Sequence, residues 1–154
     1  AFMSHSSRLQ EFQAERILFL IDIDAEANLR DFVRMSGNTE QPTRLDMVKQ
    51  ALCNFVCAKK LFSSQHEFAL GTLSDRVEMR QGYSSDISTF LSALNEVKAI
   101  ESFPSFDFSS VFKTRRAQGS YVYRTIFIYF RSTVDPTYST PPAVQVRFEP
   151  FLFT

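Results

Sequence analysis

The chain has 154 residues, 44% of them hydrophobic, enough for one domain with a substantial core. Its 17 Lys and Arg balance 17 Asp and Glu, and a net charge of zero argues against nucleic-acid or membrane-surface binding, both of which draw on excess cations. Seventeen Phe and no Trp predict a core built on phenylalanine, and no apolar run approaches the roughly 20 residues that span a bilayer.

Residues 1–14 read as a flexible arm, and a single domain is expected over 15–154. The arm is polar and has no apolar stretch of signal-peptide length, which predicts a cytoplasmic and nuclear protein. Arg16–Ile23 is continuously apolar, the pattern of a strand covered on both faces in a parallel sheet. Asn28–Gln41 reads as a loop with a short helical turn over Leu29–Met35. Thr43 then caps a helix and Asp46 places a negative charge in its first turn. Leu45, Val48, Leu52, Phe55 and Val56 recur at spacings of three and four and form its apolar stripe, while Lys59 and Lys60 suit its C-terminal end. Cys53 and Cys57 lie on this helix. Neighbours on one helix face are awkward to bridge, so both are read as reduced thiols, at least one of them in the core.

Glu67–Ser74 is a second strand and Arg76–Gln81 a third, joined by a tight turn near Ser74 and Asp75. Ser84 or Ser85 caps the next helix, whose buried stripe is Ile87, Phe90, Leu91, Leu94 and Val97. Phe103–Phe108, FPSFDF, is an aromatic loop, and Asp107 caps a shorter helix with Val111 and Phe112. Tyr121–Phe130 is the strongest strand. Ser132–Pro142 is a proline-rich loop, Val144–Phe148 is extended, and FEPFLFT ends the chain as another strand-like piece. The order predicts an α/β fold, a mostly parallel sheet with one antiparallel edge.

The first strand runs into Asp22, Asp24 and Glu26, and in open α/β sheets ligands bind at the carboxyl ends of strands. Three chemistries compete there. Asp-x-Asp resembles the haloacid dehalogenase signature, a nucleophile and a general acid. That reaction also needs Mg²⁺ held by a later acidic strand end, and Tyr121–Phe130 ends in Arg131 and Ser132 instead. Glu26 also stands where that signature has Thr or Val. The metal-dependent adhesion site of von Willebrand factor A domains ends its first strand in Asp-x-Ser-x-Ser and closes with an Asp after the fourth. Here Asp22 matches, Asp24 and Glu26 replace the two Ser, and Arg131 or Ser132 replaces the closing Asp. Neutral hydroxyls keep an ion electrophilic, whereas a cation at the closing position opposes it. In the third reading the site is degenerate, with Asp22 and Asp24 paired with Arg131 or capping nearby backbone N–H groups.

HEFALGTLSDRVEMRQGYSSD (residues 66–86), RTIFIYFR (Arg124–Arg131) followed by a proline-containing loop, and the terminal EPFLFT together resemble the von Willebrand factor A-like scaffold subunits of the BRISC and BRCA-one-A deubiquitinase complexes, the MERIT-forty family. The resemblance runs over roughly residues 16–154. It implies a von Willebrand factor A-like (Rossmann-like) fold with helices on both faces of the sheet and a non-catalytic role without cofactor. It further implies contact with a BRE-type subunit built of ubiquitin-conjugating-enzyme-like folds, in an assembly holding a zinc metalloprotease deubiquitinase and its Abraxas-type scaffold. The metal-dependent adhesion-type domain is the alternative, and a dehalogenase-like phosphatase comes third.

Among the remaining residues, His66 is expected at the surface at a strand start. Of the loop aromatics, Phe108 is expected in the core, and Phe103 and Phe106 are candidate partner contacts. Phe148, Phe151 and Phe153 are further candidates. A domain of this type continues past that final strand, so the chain is expected to be truncated at its C-terminus, its last strand covered by a partner or by further sequence.

Overall fold

The computed structural model describes residues 13–32, 40–113 and 119–139. The expectations for residues 1–12, for the part of the Leu29–Met35 turn beyond Phe32, and for the C-terminal strands with Phe148, Phe151 and Phe153 lie outside the described residues; residues 29–32 are not helical, and the short helical turn comes earlier, at Ala25–Asn28.

Four strands form one sheet in the order β3-β2-β1-β4. Central β1 (Glu15–Asp22) is parallel to β2 (Glu67–Leu73), with Arg16 opposite Glu67 and Asp22 opposite Leu73. It is also parallel to β4 (Val122–Ile128), with Glu15 opposite Val122 and Ile21 opposite Ile128. β3 (Val77–Ser84) is the antiparallel edge. The sheet class read from the sequence holds, and β1 shows why. Its residues are apolar at both parities because both faces are covered. Ile17, Phe19 and Ile21 meet α1 (Arg44–Phe62) and α2 (Ile87–Glu96) on one face. Leu18 and Leu20 meet Phe106 and Phe108 on the other, where the short α3 (Ser109–Lys113) also lies. Phe19, Phe68, Phe90 and Phe106 are fully buried, so the core is indeed phenylalanine-rich.

α1 starts in a reciprocal capping box. The Thr43 hydroxyl accepts from Asp46 N–H at 3.0 Å and the Asp46 carboxylate accepts from Thr43 N–H at 2.9 Å. Leu45, Leu52 and Val56 are buried; Phe55 sits at the rim, edge-on to Phe19 with ring centres 5.8 Å apart.

Several expectations are corrected. Cys53 is half-buried and Cys57 exposed, so neither is core. Each follows a buried stripe position by one residue, a step of about 100° around the helix. Asp86 caps α2 in place of Ser84 or Ser85. Its carboxylate accepts from Ser88 N–H at 3.0 Å and from the Thr89 hydroxyl at 2.8 Å, while Ser84 is still in β3, opposite Phe68. β3 therefore runs three residues past Gln81, across a register shift in its pairing with Phe68, Leu70 and Gly71. A Cβ at Gly71 would stand 2.7 Å from Leu20 Cδ2, so a larger residue there would have to displace that buried side chain.

From β1 the chain crosses to β2 on one side, while β4 lies on the other. The strand order reverses beside β1, which opens the crevice where such sheets hold ligands, between the carboxyl ends of β1 and β4.

Candidate functional site

The three acids and Arg131 meet in this crevice. Asp22, the last residue of β1, has no exposed surface. Its carboxylate accepts from the backbone N–H groups of Asp24 and Phe130, both at 3.0 Å. The remaining lone pairs take Arg131, which follows β4: Nε at 3.1 and 3.2 Å and Nη2 at 2.9 Å, a bidentate fork.

The Arg131 side chain is only 1% exposed, and each of its nitrogens is engaged. Nη2 also donates to the carbonyls of Leu73 at 3.1 Å and of Ser74, at the end of β2. Nη1 donates to Ser105 O at 2.9 Å and Phe103 O at 3.4 Å. The rings of Tyr129, Phe103 and Phe106 lie 5.3, 5.4 and 5.7 Å from its central carbon. One side chain thus ties together the ends of three strands and the aromatic loop.

Asp24 and Glu26 are engaged separately. Asp24 starts the single-turn 3-10 helix Ala25–Asn28 and accepts from Glu26 N–H at 2.9 Å. Its other oxygen accepts from Phe103 N–H at 2.7 Å and lies 3.8 Å from Arg131 Nε. The Glu26 carboxylate accepts from the backbone N–H and hydroxyl of Ser132, each at 3.1 Å, with Arg44 at 3.8 Å.

A divalent ion at this position of the fold needs the Asp22 carboxylate and neutral oxygens converging at about 2.0–2.6 Å. Here that carboxylate faces a guanidinium, the hydroxyl positions hold carboxylates with other partners, and the closing position is the cation itself. The residues present do not fit a metal ion. Nor is Asp22 placed as a nucleophile, since it is sealed from solvent beneath Arg131.

Two sequence-derived candidates move. Phe106 is fully buried against Phe127 and Tyr129, with ring centres at 5.8 and 6.0 Å, so it is a core residue and not a surface anchor. Phe103 stays half-buried beside Arg131. The carbonyls of Leu73, Ser74 and Ser105 were not foreseeable, because backbone acceptors leave no mark in the sequence.

A second cluster, also unforeseen, closes the opposite end of β1. The Glu15 carboxylate accepts from Lys59 and from Arg124 Nε, the latter at 2.6 Å. Burial pushes this carboxyl up, but the two cationic donors outweigh it and hold it below its ordinary value. Glu15 N–H donates to His66 Nδ1 at 3.0 Å. His66 is fully buried, a correction of its expected surface position: the residue before β2 packs beside the first residue of β1 in parallel register. Burial pushes its pKa below the usual histidine value.

No protein-family model matches the chain. It is similar to BRISC and BRCA1-A complex member 1 of Homo sapiens, Pongo abelii and Callithrix jacchus, each 24% identical over 153 residues, covering 90% of this chain and 46% of that protein. The chain therefore spans less than half the length of these relatives. Among solved structures it is similar to the SpRpn10 VWA domain (TM-score 0.50, 19% identity, 66% of this chain and 48% of that one). It is also similar to an uncharacterized membrane spanning protein from Vibrio fischeri (TM-score 0.53, 16% identity, 65% and 47%). The fold is von Willebrand factor A-like, and the resemblance drawn from the strand motifs agrees with the sequence similarity to the BRISC and BRCA1-A complex member.

Proposed function

We propose that this chain is a non-catalytic scaffold within an assembly that cleaves ubiquitin chains. The observation that carries this reading is the similarity to BRISC and BRCA1-A complex member 1 along 90% of the chain. The crevice supports it: in our reading Asp22, Asp24, Glu26 and Arg131 are a degenerate metal site, whose acids now organise strand ends rather than a reaction. Binding energy then comes from surfaces. Phe103, half-buried at the crevice, and Phe148, Phe151 and Phe153 near the C-terminus are the aromatic anchors we assign to a partner.

The partner is a BRE-type subunit of ubiquitin-conjugating-enzyme-like folds. The isopeptide cleavage belongs to the zinc metalloprotease subunit, which an Abraxas-type scaffold carries, and the assembly works in cytoplasm and nucleus. The test is co-expression with the BRE-type subunit followed by size-exclusion chromatography. The two are expected to co-elute in one complex; separate elution at micromolar concentration would overturn the reading.

A further inference from the structure

The pocket around Arg131 has a shape of its own. A guanidinium is a planar cation with five N–H donors in a fixed fork. Facing it are the Asp22 carboxylate on the Nε and Nη2 side, the Leu73 and Ser74 carbonyls beyond Nη2, and the Ser105 and Phe103 carbonyls beyond Nη1. Asp22 Oδ1 and the Leu73 and Ser74 carbonyls gather on Nη2, Asp22 also takes Nε, and the Ser105 and Phe103 carbonyls take Nη1. The oxygens thus follow the whole length of the planar fork, whereas Mg²⁺ or Ca²⁺ demands that they surround one point at short oxygen distances. Three aromatic rings border the group, surroundings that suit a weakly hydrated cation and offer a strongly hydrated one no compensation for its lost water.

We propose that this pocket is a guanidinium-selective cation site whose resident ligand is the protein's own Arg131. With that side chain cut back, the slot takes up free guanidinium or methylguanidinium from solution and does not take Mg²⁺ or Ca²⁺. The proposal deepens the reading of the crevice as a degenerate metal site and is independent of the assembly partner, so failed co-elution would leave it standing. Arg131 is on this account a covalently fixed structural cation. It holds the Phe103–Ser105 loop against the ends of β1 and β2.

The experiment uses the full chain carrying Arg131→Ala. Thermal melts are recorded with low-millimolar guanidinium or methylguanidinium chloride, far below denaturing concentrations, and with matched NaCl, MgCl₂ and CaCl₂. The melting temperature of the variant is expected to rise saturably with either guanidinium salt and to stay unchanged with the other three. The wild type, whose slot is filled, is expected not to respond. The double variant Asp22→Asn/Arg131→Ala is expected to lose the rescue, because the bidentate acceptor is gone. A folded Arg131→Ala protein that ignores guanidinium, or responds equally to Mg²⁺ or Ca²⁺, would overturn the proposal, as would equal rescue of the double variant. Should Arg131→Ala fail to fold, Arg131→Lys decides. Lysine keeps the charge but has a point-like head with three donors, so it is expected to melt several degrees below wild type. A lysine variant as stable as wild type would show that any cation suffices, and the selectivity would be disproved.

Discussion

The two ends of β1 carry the same chemistry in different media. At the carboxyl end, Asp22 and Arg131 are 0% and 1% exposed, and every donor of the guanidinium is aimed at a protein oxygen. At the amino end, Glu15 meets two cations, but Arg124 is 59% exposed and Lys59 26%. A charge stranded at the amino end can turn into water. One stranded at the carboxyl end cannot, and must bear its desolvation without compensation. A list of ion pairs hides this difference; burial decides what each pair is worth.

Arg131→Met carries the largest expected cost. It fills much of the same volume but leaves the Asp22 charge buried without its cation, and the Ser74, Ser105 and Phe103 carbonyls without the guanidinium donors. A loss of about 3–5 kcal/mol is expected from urea unfolding, with Asp22→Asn close behind. The double variant Asp22→Leu/Arg131→Met should recover part of that loss, because it removes both charges. Additive costs would show that the pair is not coupled and that the carbonyl contacts alone carry the effect.

Glu15→Gln addresses the other end. Lys59 and Arg124 lose their common acceptor but regain solvent, so a cost of about 1–2 kcal/mol is expected. A loss as large as that of Arg131→Met would mean that the amino end is as sealed as the carboxyl end.

A smaller effect separates the ends by pH. His66 accepts from Glu15 N–H and is held neutral by burial, with Glu15, Lys59 and Lys60 as the charged groups around it. Its folded pKa lies below the unfolded value of about 6.5. The unfolded chain therefore takes up a proton first as pH falls through that value, and stability drops between about pH 7 and pH 5. Glu15 acts lower. Its folded pKa lies below the unfolded carboxylate value, so its stabilisation is present above that value and fades as pH falls through the folded pKa. In His66→Asn, which keeps an acceptor for Glu15 N–H, the slope between pH 7 and pH 5 should flatten. An unchanged slope would assign it to other groups.

The carboxyl end was largely legible in the sequence. An apolar run can be aligned with another apolar run, and the residues that end them then face each other, which set Arg131 against Asp22 in advance. Capping chemistry made the start of α1 readable through Thr43 and Asp46. The amino end was not readable, since a strand's first residues carry no turn or cap signal and the parallel register that sets His66 beside Glu15 is a tertiary fact. Phe106 was ambiguous for a related reason. Aromatic loops look alike whether they plug a sheet or face a partner, and only the packing of Phe127 and Tyr129 decides. For Asp24 a nearby backbone cap was legible and formed, with Glu26 N–H, whereas its bond to Phe103 N–H, nearly eighty residues away in the chain, was not.

Salt gives the smallest effect and the most direct discrimination. Raising NaCl from about 0.1 M to about 1 M shortens the Debye length from about 10 Å to about 3 Å. Arg124 and Lys59 are partly in that medium, whereas Arg131 is out of its reach. The destabilisation caused by Glu15→Gln should therefore shrink by roughly 0.5 kcal/mol at the higher salt, as expected for exposed pairs. That caused by Arg131→Met should hold constant. Urea is the denaturant for this comparison, because guanidinium is itself a ligand for the slot proposed around Arg131. Wild type and both variants are unfolded at each salt, and only the differences between them are compared, so that general salt effects cancel. Equal salt dependence of the two costs would place both ends of β1 in the same dielectric surroundings, and the distinction between a sealed and an open cluster would fail.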